Sequence, residues 1–269
     1  MSKEYIGITE DIDPASATTR AQQSKRSKKF TEHVNHKITH EIKPLLTEVF
    51  NEEISIYFSK NSWKLEIDDH NKDNISLTFH YPICLELSSN EYIKTSIKLE
   101  FGARGDTSPT ESKLVSPYIH ELLPELSNSI SPIVVKSLVA KRTFWEKITL
   151  LHAEYHRDTK KPLPLRLFRH YYDVVMLDKN NLTNDALGDI NLLNDVIRNK
   201  SIYFYSTWAN YDTAKIGSMR LYPNTAFIAQ LKEDYEKMIS MFFGNPPDFD
   251  KTLSEIQRIE TIINGILVL

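Results

Sequence analysis

Arg142-Thr143-Phe144-Trp145-Glu146-Lys147, followed after Pro162 and Pro164 by Arg169-His170-Tyr171-Tyr172-Asp173, is the stretch on which the reading of this chain turns. On a helix from about Arg142 to Tyr155, Phe144, Ile148 and Leu151 fall on one stripe. Lys147 flanks it beside Leu151 and Glu154, and Trp145 and Thr149 lie on another side. A lysine bordering an apolar stripe ordinarily snorkels to solvent, but a phosphate in a cleft would draw the ammonium inward. The second segment predicts a helix with Arg169 and Asp173 four apart on one face and Tyr172 and Met176 packing on adjacent positions. That pair reads either as a surface ion pair of a few tenths of a kcal/mol, or as Asp173 accepting a proton from an attacking hydroxyl or orienting Lys147.

Outward from this stretch, the helical period begins at Pro132, with Val134 and Leu138 on core-facing positions, and persists to the end of the chain. The segments Ile54 to Phe58, Ser62 to Ile67, Asn74 to Tyr81 and Ile93 to Phe101 are rich in β-branched and aromatic residues and predict mostly antiparallel strands. Ahead of them, Arg20, Lys25, Arg26, Lys28, Lys29, Lys37 and Lys43 surround Phe30, Val34, Ile38 and Ile42, spaced by four: a basic amphipathic helix, expected to end near Pro44. The pattern breaks between Leu123 and Pro132. The chain therefore reads as α+β, with a lobe holding a small mixed or antiparallel sheet over residues 1–130 and a helical lobe over 131–269.

Glu10-Asp11-Ile12-Asp13 stands near the start. In an extended segment Asp11 and Asp13 would project to one side and Ile12 to the other. Two adjacent carboxylates repel, and a divalent cation relieves that repulsion while gripping a nucleotide's phosphates. Asp-Ile-Asp before Pro14 is equally the opening of a plain turn. Glu100 alternates with Ile97, Leu99 and Phe101 and faces away from the core, ahead of Gly102-Ala103-Arg104-Gly105; it is a solvated carboxylate unless its strand lies beside Asp11 and Asp13, where it becomes a third metal ligand.

At 269 residues, 41% apolar and a net charge of −3, the chain is neither disordered nor globally tuned to polyanions, so any nucleic-acid contact comes from a local patch. The single cysteine, Cys84, cannot form an internal disulfide and fits a reducing compartment as a buried thiol. No secretory signal pattern and no apolar run of about 18 residues occurs, so a cytoplasmic location and no membrane are expected. His152, His156 and His170 lack the ligand spacing of a zinc site, and no Gly-x-Ser-x-Gly, Walker or dinucleotide fingerprint is present.

In order along the chain, Ser2-Lys3, Thr9-Glu10-Asp11-Ile12-Asp13, Leu99-Glu100, Arg142 to Lys147, Arg169 to Asp173, Ala214 to Pro223, Leu231 to Tyr235 and Phe243 to Phe249 resemble the AbiEii/AbiGii family of nucleotidyltransferase toxins. The resemblance implies a polymerase-β-like nucleotidyltransferase lobe joined to a helical lobe, with the nucleotide in the cleft between. Carried over, it implies metal binding by Asp11 and Asp13, with Glu100 the weaker transfer, and nucleotide contacts from Ser2, Lys3, Thr9 and Lys147. It also implies a catalytic role for Asp11, Asp13, Lys147 and Asp173. It further implies Mg2+ of the two-metal type, an NTP substrate, an RNA acceptor such as tRNA, and a cognate antitoxin within an abortive-infection or toxin–antitoxin system. Thr9 stands where the family has serine. The chain begins at Met1-Ser2-Lys3, without the family's glycine-rich loop, so the alternative expectation is a catalytically impaired relative that binds nucleotide, RNA or a partner protein.

Overall fold

The computed structural model describes residues 7–59, 62–68, 75–82, 95–101, 108–125, 131–242 and 244–265. Ser2, Lys3, Cys84 and the Gly102-Ala103-Arg104-Gly105 segment lie outside the described residues.

The Thr19 hydroxyl accepts the Gln22 N–H and starts α1 (Arg20–Lys37). The helix does not stop at Pro44. A π-helical turn, Ile38–Ile42, lets the Lys43 N–H reach back five residues to the Ile38 carbonyl. Pro44, with no N–H of its own, then falls in the first turn of α2 (Lys43–Ile54), where a proline costs nothing. The strand expected from Ile54 to Phe58 is instead the end of α2, closed by the Tyr57 and Phe58 N–H groups, both on the Ile54 carbonyl at 3.0 Å. A local helix end satisfies that backbone without a partner strand.

The next three strands, β1 (Lys64–Asp68), β2 (Ser76–His80) and β3 (Ser96–Glu100), are antiparallel in the order β1-β2-β3. Their register sets Leu65 opposite Phe79, Ile67 opposite Leu77 and Leu77 opposite Leu99, so the period-two apolar residues share a face. The period-four stripe of α1 and the π-turn (Phe30, Val34, Ile38, Ile42) is buried with Leu65 and Leu77 in one core. Here helix and strand periodicities meet across a single apolar layer.

Strands β4 (Thr110–Val115) and β5 (Ile133–Leu138) form an antiparallel pair, with α3 (Ile119–Leu122) between them in sequence. This corrects the helical reading from Pro132: Ile133-Val134-Val135 is a β-branched run too short for periodicity to classify, and pairing with β4 decides it. Regular helix begins with α4 (Ala140–Tyr155). It continues through α5 (Phe168–Asp178), α6 (Leu182–Leu187), α7 (Ile190–Tyr203), α8 (Ile228–Met238) and α9 (Phe249–Gly265).

These helices share a second core, in which α4 is buried around most of its girth. Phe144, Trp145, Ile148, Thr149 and Leu151 are all fully buried, so Trp145 and Thr149 join the core and not a separate side. On α5 the buried positions are Phe168, Tyr171, Val174 and Val175, whereas Met176, read as a packing residue, faces water. The α5 N-terminus is fixed by Asp234 of α8, whose two carboxylate oxygens accept the Arg166 and Phe168 N–H groups at 2.8 Å each. That grip holds Arg166 in the left-handed region, at φ 63°.

Contacts tie the two cores together at the end of α7. The Tyr203 hydroxyl donates to Asp13 Oδ1 at 2.7 Å, Arg20 donates to the Ser201 carbonyl at 3.1 Å, and Phe30 lies 6.0 Å from Tyr203, ring to ring. Among the described residues no helix is long and apolar enough to cross a membrane.

Candidate active site

Lys147 lies three residues after Phe144 and four before Leu151, at the border of the buried stripe of α4. From there its ammonium reaches α5, donating to Asp173 Oδ2 at 2.6 Å, and lies 3.4 Å from His170 Nδ1. His170 and Asp173 are three apart and share a helix face, so one lysine meets both. The Lys147 side chain is 21% exposed and Asp173 38% exposed. A pair this open to water contributes at most about 1 kcal/mol to stability, which leaves its geometry available for chemistry. Of the two partners open to Asp173, Arg169 and Lys147, it is Lys147 that takes it.

His170 is held neutral. Burial is the main cause, and the charges of Lys147 and Arg169 reinforce it, bringing its pKa to about 4. An ammonium can only donate, so the Lys147 contact makes His170 Nδ1 the acceptor and leaves the proton on Nε2. Arg142, almost wholly buried, anchors the start of α4 by donating to the Ser108 carbonyl at 2.6 Å and to Glu146 at 3.1 Å.

Around the N-terminal carboxylates the backbone follows the turn reading and not the extended one. Thr9 to Ile12 is a turn, with the Ile12 and Asp13 N–H groups both on the Thr9 carbonyl at 3.1 and 3.0 Å, so the alternating-face argument for Asp11 and Asp13 does not hold. Asp13 precedes Pro14, which opens a short 3-10 turn, and its carboxylate caps that turn by accepting the Ala15 N–H at 2.9 Å; capping outweighs extension here. Asp11 is exposed and accepts the Thr9 hydroxyl at 2.5 Å. That hydrogen bond, aided by its own backbone and by Lys29 and Arg26, holds its carboxyl below the usual range. Thr9 thus fulfils a polar role, toward Asp11.

Glu100 sits exposed at the end of β3, ion-paired with Lys98 at 3.2 Å. Among the described residues no group of three or more histidine, cysteine or acidic side chains gathers as a metal cage, so Glu100 is not brought together with Asp11 and Asp13. The pair alone still suits a hard cation in its donor chemistry. Magnesium is bound through one or two carboxylates with water and substrate phosphates, and Asp11 is open to water.

Two residues were not legible beforehand: Lys200 and Tyr203, on the last turn of α7. Tyr203 carries the hydrogen bond to Asp13, and Lys200 lies within electrostatic reach of Glu146, Arg142 and Lys147. The signal was the run Lys200-Ser201-Ile202-Tyr203-Phe204-Tyr205, a lysine at the head of an aromatic cluster.

A family model described as nucleotidyl transferase AbiEii toxin, type IV TA system, matches residues 8–255. No curated protein and no solved structure matches the chain.

Proposed function

The chain belongs to the AbiEii family of nucleotidyltransferase toxins of type IV toxin–antitoxin systems, and from that premise we propose that it transfers a nucleotide from an NTP to an RNA acceptor, with tRNA the first candidate. Family membership makes it a nucleotidyltransferase and implies an NTP and an antitoxin as partners. The acceptor, the metal and the roles of individual residues are our reading, as is action in the cytoplasm.

The observation that carries the reading is the 2.6 Å contact between Lys147 and Asp173, two residues 26 apart in sequence on separate helices, beside a histidine held neutral. Before substrate binds, Asp173 orients the ammonium. When the triphosphate arrives, Lys147 turns to its phosphate oxygens as a charge-assisted donor. Asp173 is then relieved of its partner and accepts the proton of the acceptor hydroxyl. The hydroxyl oxygen attacks the α-phosphorus and pyrophosphate leaves with the electron pair of the broken P–O bond. Neutral His170 keeps a second positive charge off this pair. Asp11 and Asp13 would hold magnesium, which when bound supplies charge neutralisation for the phosphates.

Support for an RNA acceptor comes from α1. Lys25, Lys28 and Lys29 are exposed there, and Lys29 and Arg26 act electrostatically on Asp11, so a basic face adjoins the carboxylates. The second reading, a relative that binds without transferring, is favoured by one observation: Asp13 Oδ1 is already taken by the Ala15 N–H and the Tyr203 hydroxyl.

Incubation of the purified chain with magnesium, each labelled NTP in turn and total tRNA tests both. Label on RNA with the wild type, and none with Asp11→Ala or Asp173→Ala, is expected. Transfer unchanged in both variants removes the catalytic assignment, and nucleotide binding without transfer leaves the second reading standing.

A further inference from the structure

Two C-terminal stretches, Leu231 to Tyr235 and Pro247 to Phe249, take no part in the chemistry above, yet both converge on Phe168, the first residue of α5. The Tyr235 ring lies 5.0 Å from that of Phe168 and the Phe249 ring 5.4 Å from it, and the Tyr235 hydroxyl donates to the Pro247 carbonyl at 2.8 Å. Phe168 itself is fully buried. Next to Tyr235, Asp234 takes the Arg166 N–H on one carboxylate oxygen and the Phe168 N–H on the other, each at 2.8 Å. These are the donors at the entry to α5. Its N-cap residue, Leu167, has no side-chain acceptor to offer them, so the cap comes from another helix, as a negative charge at the positive end of α5.

Packing and this grip act differently on α5. Apolar contacts decide which face turns inward, but they have no direction and tolerate a small slide along the helix axis. Two hydrogen bonds to one carboxylate are directional and resist that slide. Arg166 records the constraint: it sits at φ 63°, a conformation that a residue with a side chain keeps only where its surroundings impose it. The chain from His156 to Leu167 forms no helix or strand and does not set the position of α5 by itself. From Phe168 to Asp173 the helix is continuous, roughly 7.5 Å along the axis, so a displacement of its start reaches His170 and Asp173 undiminished. Lys147 stays behind, because α4 is anchored separately through Arg142. The 2.6 Å contact between Lys147 and Asp173 does not survive a slide of about 1 Å.

We propose that Asp234 is a positioning residue of the transfer reaction: from α8 it fixes α5 along its axis, so that Asp173 meets Lys147. The inference rests on the nucleotidyltransferase reading above and gives the C-terminal stretch around Asp234 a task in that reaction. Asp234 touches no reacting group and works through Asp173 alone. Its loss therefore slows turnover and leaves nucleotide affinity, which Lys147 serves, in place.

The test measures steady-state transfer by the full chain, with magnesium, each labelled NTP in turn and total tRNA, below the melting temperature of every variant. Wild type, Asp234→Asn, Asp234→Ala and Gln230→Ala are compared. Gln230, one turn earlier on α8, accepts the Leu163 N–H at 3.1 Å, so its removal loosens the linker without touching α5. Asn keeps one acceptor oxygen of the two and Ala keeps none. The kcat is expected to fall about tenfold in Asp234→Asn and about a hundredfold in Asp234→Ala, with KM for the NTP within about twofold of the wild type. Gln230→Ala should keep the wild-type kcat. Should Asp234→Ala fail to fold, Asp234→Asn, of the same size, gives the reading on its own. An unchanged kcat in the Asp234 variants, a rise in KM in place of the fall in kcat, or an equal fall in Gln230→Ala overturns the inference and spares the function. A wild type that transfers from none of the four NTPs overturns both.

Discussion

The helices α1 and α4 are both long and charged, and they solve the same problem in opposite ways. In α1 a narrow stripe, Phe30 and Val34, carries all the burial, and Lys25, Lys28 and Lys29 around it stand in water. In α4 burial runs round most of the helix and takes polar groups with it: Arg142 is 1% exposed, and Thr149 and His152 are 0% exposed. Each of these groups then needs partners. Thr149 donates to the Trp145 carbonyl at 2.8 Å, and His152 Nδ1 accepts the Arg220 N–H at 3.1 Å while its Nε2 lies 3.1 Å from the Asn210 carbonyl. The difference separates two kinds of site. Around α4 the geometry is built by the fold, as with Lys147 and Asp173; around α1 the carboxylates of Asp11 and Asp13 make local turn contacts that a ligand would have to rearrange.

The sharpest way to break this contrast is to cut into both helices. Trp145→Ala should lower unfolding stability by about 3–5 kcal/mol, whereas Lys28→Ala should stay within about 0.5 kcal/mol of the wild type. Chemical denaturation measures both, and comparable losses would end the distinction.

Acid should reach α4 through His152, in the same window as His170 on α5. His152 is fully buried and its pKa is lowered to about 4, with burial the main cause, against 6.5 unperturbed. Its backbone partners fix the neutral tautomer, with Nδ1 accepting and Nε2–H donating. Below the unfolded value the unfolded chain takes up a proton that the folded chain refuses, so the contribution is complete above about pH 6.5 and drains away as pH falls toward 4. The loss is on the order of 3 kcal/mol from this residue. Melting curves at pH 7, 5.5 and 4.5 check it, and His152→Gln, which retains a donor and an acceptor, should have a shallower slope. An identical slope in that variant would remove His152 as the cause.

Lys147→Ala and Asp173→Ala sharpen the comparison from the other side. Each should cost about a hundredfold or more in transfer rate, roughly 2.7 kcal/mol of barrier, while shifting stability by less than about 1 kcal/mol. Parallel losses of stability and rate would mean the pair is structural. The smallest expected effect lies at the seam: Tyr203→Phe removes the hydroxyl held by Asp13 and should cost about 1 kcal/mol, with Phe30 still against the ring.

Sequence legibility followed the same divide. The stripe of α1, the three-stranded sheet and the helices bearing Lys147 and Asp173 were all readable, because each rests on a repeated local pattern over many residues. Ile133 to Leu138 and Ile54 to Phe58 differ from the reading because four apolar residues within five or six positions fit either period, and partner availability decides. Pro44 failed as a stop because a π-turn, invisible to composition, made room for it. At the site, residue types announced Lys147 and Asp173 as candidates, but the choice between a pair with Arg169 and a pair with Lys147 needed the packing of α4 on α5. At Asp13 the sequence left the turn cap and the metal ligand both open, because the two ask for the same side chain.

The Tyr203 hydroxyl on Asp13 has a thermodynamic corollary. Any cation that claims that oxygen competes with a hydrogen bond joining the two halves of the molecule, so cation affinity and the closure of the N-terminal turn onto α7 are reciprocally coupled. Loosening the joint, as in Tyr203→Phe, should tighten cation binding by the same free energy that the bond contributes to holding the halves together.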